Sequence, residues 1–312
     1  MEINKILDVL ACPVCKENII SKDGLLYCSE TTCKYSSGYF QLHNGKYVFV
    51  DFENSLLVKD VVLRSGGGSI VSRIKTSLIN DSIRKILNGP GSKTFSNINY
   101  IINYFINVNF VPKILIIGGG KVGVGIDTLY KKFGDSIVCF DIYNSDSVDF
   151  IADAHSLPFQ DNTFDLIIVQ AVLEHVYNPI KVVEEIYRCL KIDAMVYSET
   201  PFLQHVHEGA YDFTRYTVLG HRILFKNFEK IDSGFIGGVG LTLLWSIEYL
   251  FSALFRSRKI GKSFKLLFFW FRFFDFLVPE SYNIDSACGV YFLGKKRIDV
   301  KENFIEDYEG AQ

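Results

Sequence analysis

From residue 113 to residue 236 the chain alternates apolar runs of strand length with amphipathic runs of helix length. This alternation constrains the fold more than any other feature of the sequence. "KILII", "SIVCFDIY", "VDFIADA", "FDLIIVQAV", "MVYSETPF" and "FEKIDSGFI" read as six strands in turn. Among the segments between them, "GIDTLYKKF" and "TVLGHRILFKNF" read as helices, and "PIKVVEEIYRCLK" places Val182, Val183, Ile186 and Leu190 on one helix face. Strands that alternate with helices predict an α/β fold with a doubly wound parallel sheet. A last strand is expected at "CGVYFLGKK", beyond a long apolar block. With 312 residues, 48% of them hydrophobic and 27 of them Phe, the chain can fill one large core and still carry a small module.

The turn after the first strand carries chemistry. Gly118, Gly120 and Gly123 spell G-x-G-x-x-G, and Asp141 closes the next strand. Missing side chains let backbone approach an adenosyl cofactor, and a strand-end carboxylate can accept bonds from ribose hydroxyls. The motif alone serves NAD and other adenosyl cofactors equally well.

A second chemical signal lies in the first 35 residues. Cys12 and Cys15, then Cys28 and Cys33, form C-x2-C, twelve residues, C-x4-C. The amino terminus lacks the basic start and long apolar run of a signal peptide, so a cytoplasmic chain is expected. In a reducing compartment such a cluster predicts metal rather than disulfides. Four thiolates suit a structural Zn2+, because they leave no open position for catalysis. Cys139, Cys189 and Cys288 stand singly and read as inert thiols. The net charge of -2 offers no general attraction to nucleic acid.

The residues beyond the glycine turn decide the cofactor. Asp153-Ala154, Leu157-Pro158-Phe159, Phe164-Asp165, Leu173-Glu174-His175-Val176 and the run from Glu185-Ile186 to Lys191 follow in order. The combination resembles the class I S-adenosylmethionine-dependent methyltransferases, particularly the ubiquinone-biosynthesis group, over residues 112 to 235. The resemblance implies a Rossmann-like seven-stranded sheet with S-adenosyl-L-methionine at the carboxyl ends of its strands. It assigns the cofactor to Gly118, Gly120, Gly123, Asp141, Ile142, Asp153, Ala154 and Gln170, with Asp153 toward the adenine; the bland alternatives are a helix cap for Asp141, a turn aspartate for Asp153 and a plain strand-end polar residue for Gln170. Ile116 stands where the family usually has an acid, and "KIDA" replaces the usual K-P-G-G turn. Residues 1–50 resemble the zinc ribbon of methyltransferase-activating subunits and read as an autonomous module.

After the fifth strand, "TPFLQHVHEGAYDFTRYT" concentrates polar and aromatic side chains on the catalytic edge. It resembles an H-E-x-x-Y-D-F-x-R-[FY]-T pattern in methyltransferase-like proteins tied to surface-glycan synthesis. His207 is the candidate base, since an ordinary imidazole titrates near neutral pH. Asp212 is expected to orient His207 or act as base itself, and Arg215 to bind an anionic acceptor or pair with Asp212. A buried Asp–Arg pair that merely holds the loop is the structural alternative. His175 is either a further contributor or a packing residue.

The expected organisation is a zinc ribbon over 1–50, a helical linker over 51–110 that includes a helix over 70–87, and a methyltransferase core over 111–235. An apolar helical insertion between strands six and seven follows over 236–286, then a last strand and tail over 287–312. The block at 241–278 suits a lid, a hairpin at the inner face of the membrane, or a dimer interface; Arg and Lys break it too often for a transmembrane span. The leading function is methyl transfer to a small or glycan-linked acceptor, at oxygen, in surface-polysaccharide synthesis. The alternatives are an RNA or protein methyltransferase and a non-catalytic adaptor with a vestigial cofactor site.

Overall fold

The computed structural model describes residues 3–65, 92–300 and 304–311. A small antiparallel hairpin joins β1 (Ile19–Lys22) to β2 (Leu25–Cys28). The main sheet contains β3 (Phe40–Gln41), β4 (Tyr47–Phe49), β5 (Ile114–Ile117), β6 (Ile137–Asp141), β7 (Phe150–Ala152), β8 (Phe164–Gln170), β9 (Leu190–Pro201), β10 (Phe228–Ile236) and β11 (Gly289–Lys296). Their order is β10-β11-β9-β8-β5-β6-β7-β4-β3. The strands from β4 to β9 run parallel, and β11 is antiparallel to both of its neighbours.

Alternation of side chains across the pleat builds two cores. Ile114 and Ile116 of β5 pack with Ile98, Ile101 and Phe105 of the helix Ser92–Asn107 and with Leu129 of the helix Ile126–Phe133. Leu115 and Ile117 face the other way, toward the core that holds Val182, Val183 and Ile186 of the helix Pro179–Cys189. Asn178 caps that helix by accepting from the Lys181 backbone N–H, with Pro179 at its first position.

Three expectations need correction. Leu190 is not on the helix face; the helix stops at Cys189, and Leu190 opens β9 opposite Phe164. The "KIDA" segment becomes an irregularity in that strand, with Asp193 at a φ of 65° and the register resuming at Leu166 opposite Met195. The sheet has nine strands rather than seven, because β3 and β4 come from the amino-terminal module. That module is therefore not autonomous: β4 adds in parallel to the edge strand β7, pairing Val48 with Ile151 and Phe49 with Ala152. Lys16 ties the two parts again, bonding Ser156 Oγ at 2.7 Å and Glu185 Oε2 at 2.9 Å. The helix expected over 70–87 lies outside the described residues.

Between β10 and β11 the chain forms the helices Val239–Leu254 and Arg258–Leu267, followed by shorter helical segments up to Ser286. No helix among the described residues is long and apolar enough to cross a membrane.

Candidate active site and candidate metal centre

The four amino-terminal cysteines converge. Cys12 Sγ lies 3.6 Å from Cys33 Sγ, and Cys15 Sγ lies 3.3 Å from Cys28 Sγ. All four sulfurs fall within 4.8 Å of one another. Thiolates about 2.3 Å from a tetrahedral zinc ion sit roughly 3.8 Å apart, so this donor set fits the metal. Turns supply the geometry: Lys16 N–H donates to Cys12 O across the first pair, with Lys16 at a φ of 64°. Burial pushes the Cys28 and Cys33 thiols up, a cost that a bound cation would reverse. Among the single cysteines, burial pushes Cys139 and Cys189 up to about 12.

At the carboxyl ends of β5 to β8 a cavity of about 230 Å³ opens, lined by Gly118, Asp141, Ile142, Asp153 and Ala154 among others. Gly118 has a φ of 75°, and a Cβ there would collide with Val172. Asp141 is buried at the end of β6, where its Oδ2 accepts from Gly120 N–H at 2.8 Å and its Oδ1 from Ile142 N–H at 2.7 Å. This pins the carboxylate at the mouth of the cleft and keeps the glycine turn closed against it. A Gly118→Ala variant should lose about 1–2 kcal/mol from the left-handed backbone alone. The measurable result is a lower Tm together with weaker S-adenosylhomocysteine binding.

Asp153 Oδ1 bonds His155 Nδ1 at 2.6 Å, and its Oδ2 accepts from Ser55 Oγ. These partners hold its carboxyl below the usual range, against the opposing effect of burial. Ser55 and the residues after it, including Leu57, Val58 and Val62, form one wall of the cleft. The wall continues directly from the amino-terminal cysteine module, whose sequence gives no sign of a part in this cleft.

Gly120, Gly123 and Gln170 lie outside the lining of this cleft. Gly120 packs on Asp141 and Tyr143, and Gly123 fits against the Gln170 side chain. Gln170 turns away because its amide donates to Glu199 Oε2 at 2.6 Å. Glu199 is buried and also accepts from Thr94 Oγ1 at 2.6 Å and from the Tyr197 hydroxyl. Asp165 is structural, accepting from Lys113 N–H at 2.9 Å and pairing with Lys191 at 2.8 Å.

The loop after β9 folds over the same edge. Arg215 clamps Asp212 with two nitrogens, and Asp212 also accepts from His207 N–H at 2.8 Å. Despite its burial, these partners hold the Asp212 carboxyl down at about 2. Of the roles expected for Asp212 and Arg215, the geometry realises the mutual pair, and a carboxylate so held is a poor base. His207 Nδ1 stands 3.4 Å from Asp212 Oδ2, and its Nε2 stands 3.8 Å from Glu174 Oε1. His175 lines the cleft, and its Nδ1 lies 2.6 Å from Tyr211 O.

Glu174 is the residue that sequence reasoning left in the background. It is 1% exposed, and its Oε1 lacks a hydrogen-bond partner although Oε2 accepts from Thr200 Oγ1 at 3.2 Å. Burial raises it to about 8, with nearby Asp212 adding to the rise and Arg215 opposing it. Its signal was the acid inside the "LEHV" segment. A folded value above the unfolded one means the native state holds the proton more tightly. Glu174 therefore supports stability fully below about 4.5 and progressively less up to about pH 8. Thermal melts should show Glu174→Gln gaining on the wild type as the pH rises across that window, by about 1.4 kcal/mol for each pH unit crossed; parallel curves would reject the buried-acid assignment.

Part of the chain is similar to known proteins. Residues 122–198 match a family model described as a methyltransferase domain. Over 76 residues the chain is 40% identical to the ubiquinone/menaquinone biosynthesis C-methyltransferase of Hydrogenovibrio crunogenus, covering 23% of this chain and 30% of that protein. The match thus spans less than a third of that relative. Among solved structures, a suggested sarcosine dimethylglycine methyltransferase from Galdieria sulphuraria is 17% identical, with a TM-score of 0.43 over 65% of this chain and 85% of that one. An S-adenosylmethionine-dependent methyltransferase from Archaeoglobus fulgidus is 14% identical, with a TM-score of 0.41 over 70% of this chain and 99% of that one. From the turn after β5 into β9, residues 122–198 are thus similar to a methyltransferase domain.

Proposed function

We propose that the protein transfers a methyl group from S-adenosylmethionine to an oxygen of a small or glycan-linked acceptor, in the setting of surface-polysaccharide synthesis. The supporting observation is the meeting of Gly118, Asp141, Asp153 and Ala154 in one cleft whose far wall carries His175, Glu208 and Tyr211. The bound cofactor supplies an activated methyl on a sulfonium. The chain must hold the acceptor in line with it, within near-attack distance, and take up a proton. His207 accepts the hydroxyl proton in this reading, which its position between Asp212 and Glu174 supports. Arg215 serves the reaction indirectly, by fixing Asp212 and hence His207. A structural zinc ion in the four-cysteine site belongs to the same proposal.

Calorimetry on the purified chain separates this reading from its rivals. S-adenosylhomocysteine should bind and NAD should give no heat. Binding of NAD would restore the dinucleotide reading, and no binding of either ligand would favour the adaptor.

A further inference from the structure

The helical insertion holds two charged contacts inside and leaves many large apolar residues exposed. Glu248 and Lys265 pair at 3.0 Å between the two long helices, and Lys265 lies 4.8 Å from the Trp245 ring. Phe251 stacks on Phe264 at 3.7 Å. A Cβ on Gly261 would collide with Ser252, so the glycine lets the helices close. Asp275 is turned inward as well, accepting from Gly240 N–H at 2.6 Å. The outer surface is the reverse of what a soluble hairpin presents to water. Leu250, Leu254, Leu267 and Trp270 are 46% to 67% exposed, and Phe276 and Leu277 are 77% and 76% exposed.

Charge identifies what covers this face. From residue 249 to residue 274 the sequence contains no Asp or Glu and six Arg or Lys. Arg256, Arg258, Lys259 and Lys262 are exposed at the end of the hairpin. Exposed Leu, Phe and Trp beside unopposed cations match the chemistry of an anionic bilayer surface, in which apolar side chains enter the acyl boundary and cations meet headgroups. A second copy would bring like charges together at the same face. We propose that this hairpin docks the protein peripherally on an anionic lipid membrane. Tyr249 connects that surface to the acceptor side, stacking on His205 at 4.1 Å and donating to Val206 O at 3.0 Å. Under the methyltransferase reading, the docked enzyme presents its acceptor loop near the bilayer, which suits a lipid-attached acceptor.

Vesicle flotation tests the docking independently of the cofactor. The full chain should float with phosphatidylcholine vesicles containing phosphatidylglycerol and stay in solution with phosphatidylcholine alone. Reversing three cations, as in R258E/K259E/K262E, should weaken the association roughly a hundredfold, since each cation near the surface contributes about 1 kcal/mol. F276S/L277S changes only exposed side chains and should abolish flotation while leaving Tm and S-adenosylhomocysteine binding intact. Failure to float with anionic vesicles, or flotation unchanged in both variants, would overturn the proposal. So would a dimer in light scattering that F276S/L277S dissociates, because a second copy would then own the face.

Discussion

Removal of metal should melt the amino-terminal ribbon and carry the cofactor wall with it. The purified chain is expected to hold about one zinc ion, and a Cys33→Ala variant or a strong chelator should release it. Structural zinc in small fingers supplies about 10–16 kcal/mol of apparent binding energy, far more than a fifty-residue core provides unaided. The ribbon's own interior is modest, built around Leu10, Leu26, Tyr35 and Tyr39. Cys12, Cys28 and Cys33 are buried in it, so their removal leaves a void as well as a missing ligand. Limited proteolysis should then cut within residues 1–50, and elemental analysis should report the loss. A ribbon that stays protected with no bound metal would sink the zinc assignment. Binding releases thiol protons, so the metal should also be held less tightly as the pH falls.

His207→Ala is the variant expected to separate chemistry from binding. Loss of a positioned general base typically costs a factor of about 10²–10⁴ in rate, and S-adenosylhomocysteine affinity should stay unchanged because His207 does not line the cofactor cleft. Asp212→Asn should behave differently. The Asp212 side chain is 1% exposed and clamped by Arg215, so breaking that pair removes about 3–5 kcal/mol of stability. Its folded value lies below the unfolded one, so that support is present above about pH 4 and fades toward pH 2. Equal rates in His207→Ala and the wild type would eliminate His207 as the base and turn attention to the imidazoles that line the cleft, His175 and His155.

The centre of the parallel core was legible because β5 and β6 are buried on both faces and read as nearly continuous apolar runs. Ile114–Ile117 and Ile137–Asp141 needed nothing beyond hydrophobicity and length to be placed. The attachment of β4 to β7 was not legible, since the two strands lie about a hundred residues apart and backbone pairing leaves no mark on side-chain identity. Tyr47–Phe49 is buried throughout, which suits a covered strand equally well in a free module. The partner of Gln170 was not legible because a strand-end polar residue has several neighbours to choose from, and here its amide donates to buried Glu199. The pairing of Asp212 with Arg215 was one of several options that their spacing left open, and the fold of the loop selects it. Glu174 stayed hidden because its unusual ionisation comes from burial, which no local pattern encodes.

The strand β4 ends two residues before Asp51, and Ser55 follows on the way to the wall of the cleft, so one continuous piece of chain leads from the cysteine module to that wall. Should the proposed zinc ion and cofactor both bind, such an arrangement makes them thermodynamic partners. Whatever free energy the ion contributes to ordering this chain segment reappears as tighter cofactor binding, and by reciprocity the cofactor raises affinity for the ion by the same factor. The protein is then responsive to two supplies at once, and a shortage of metal would register first as a shortage of methyl donor.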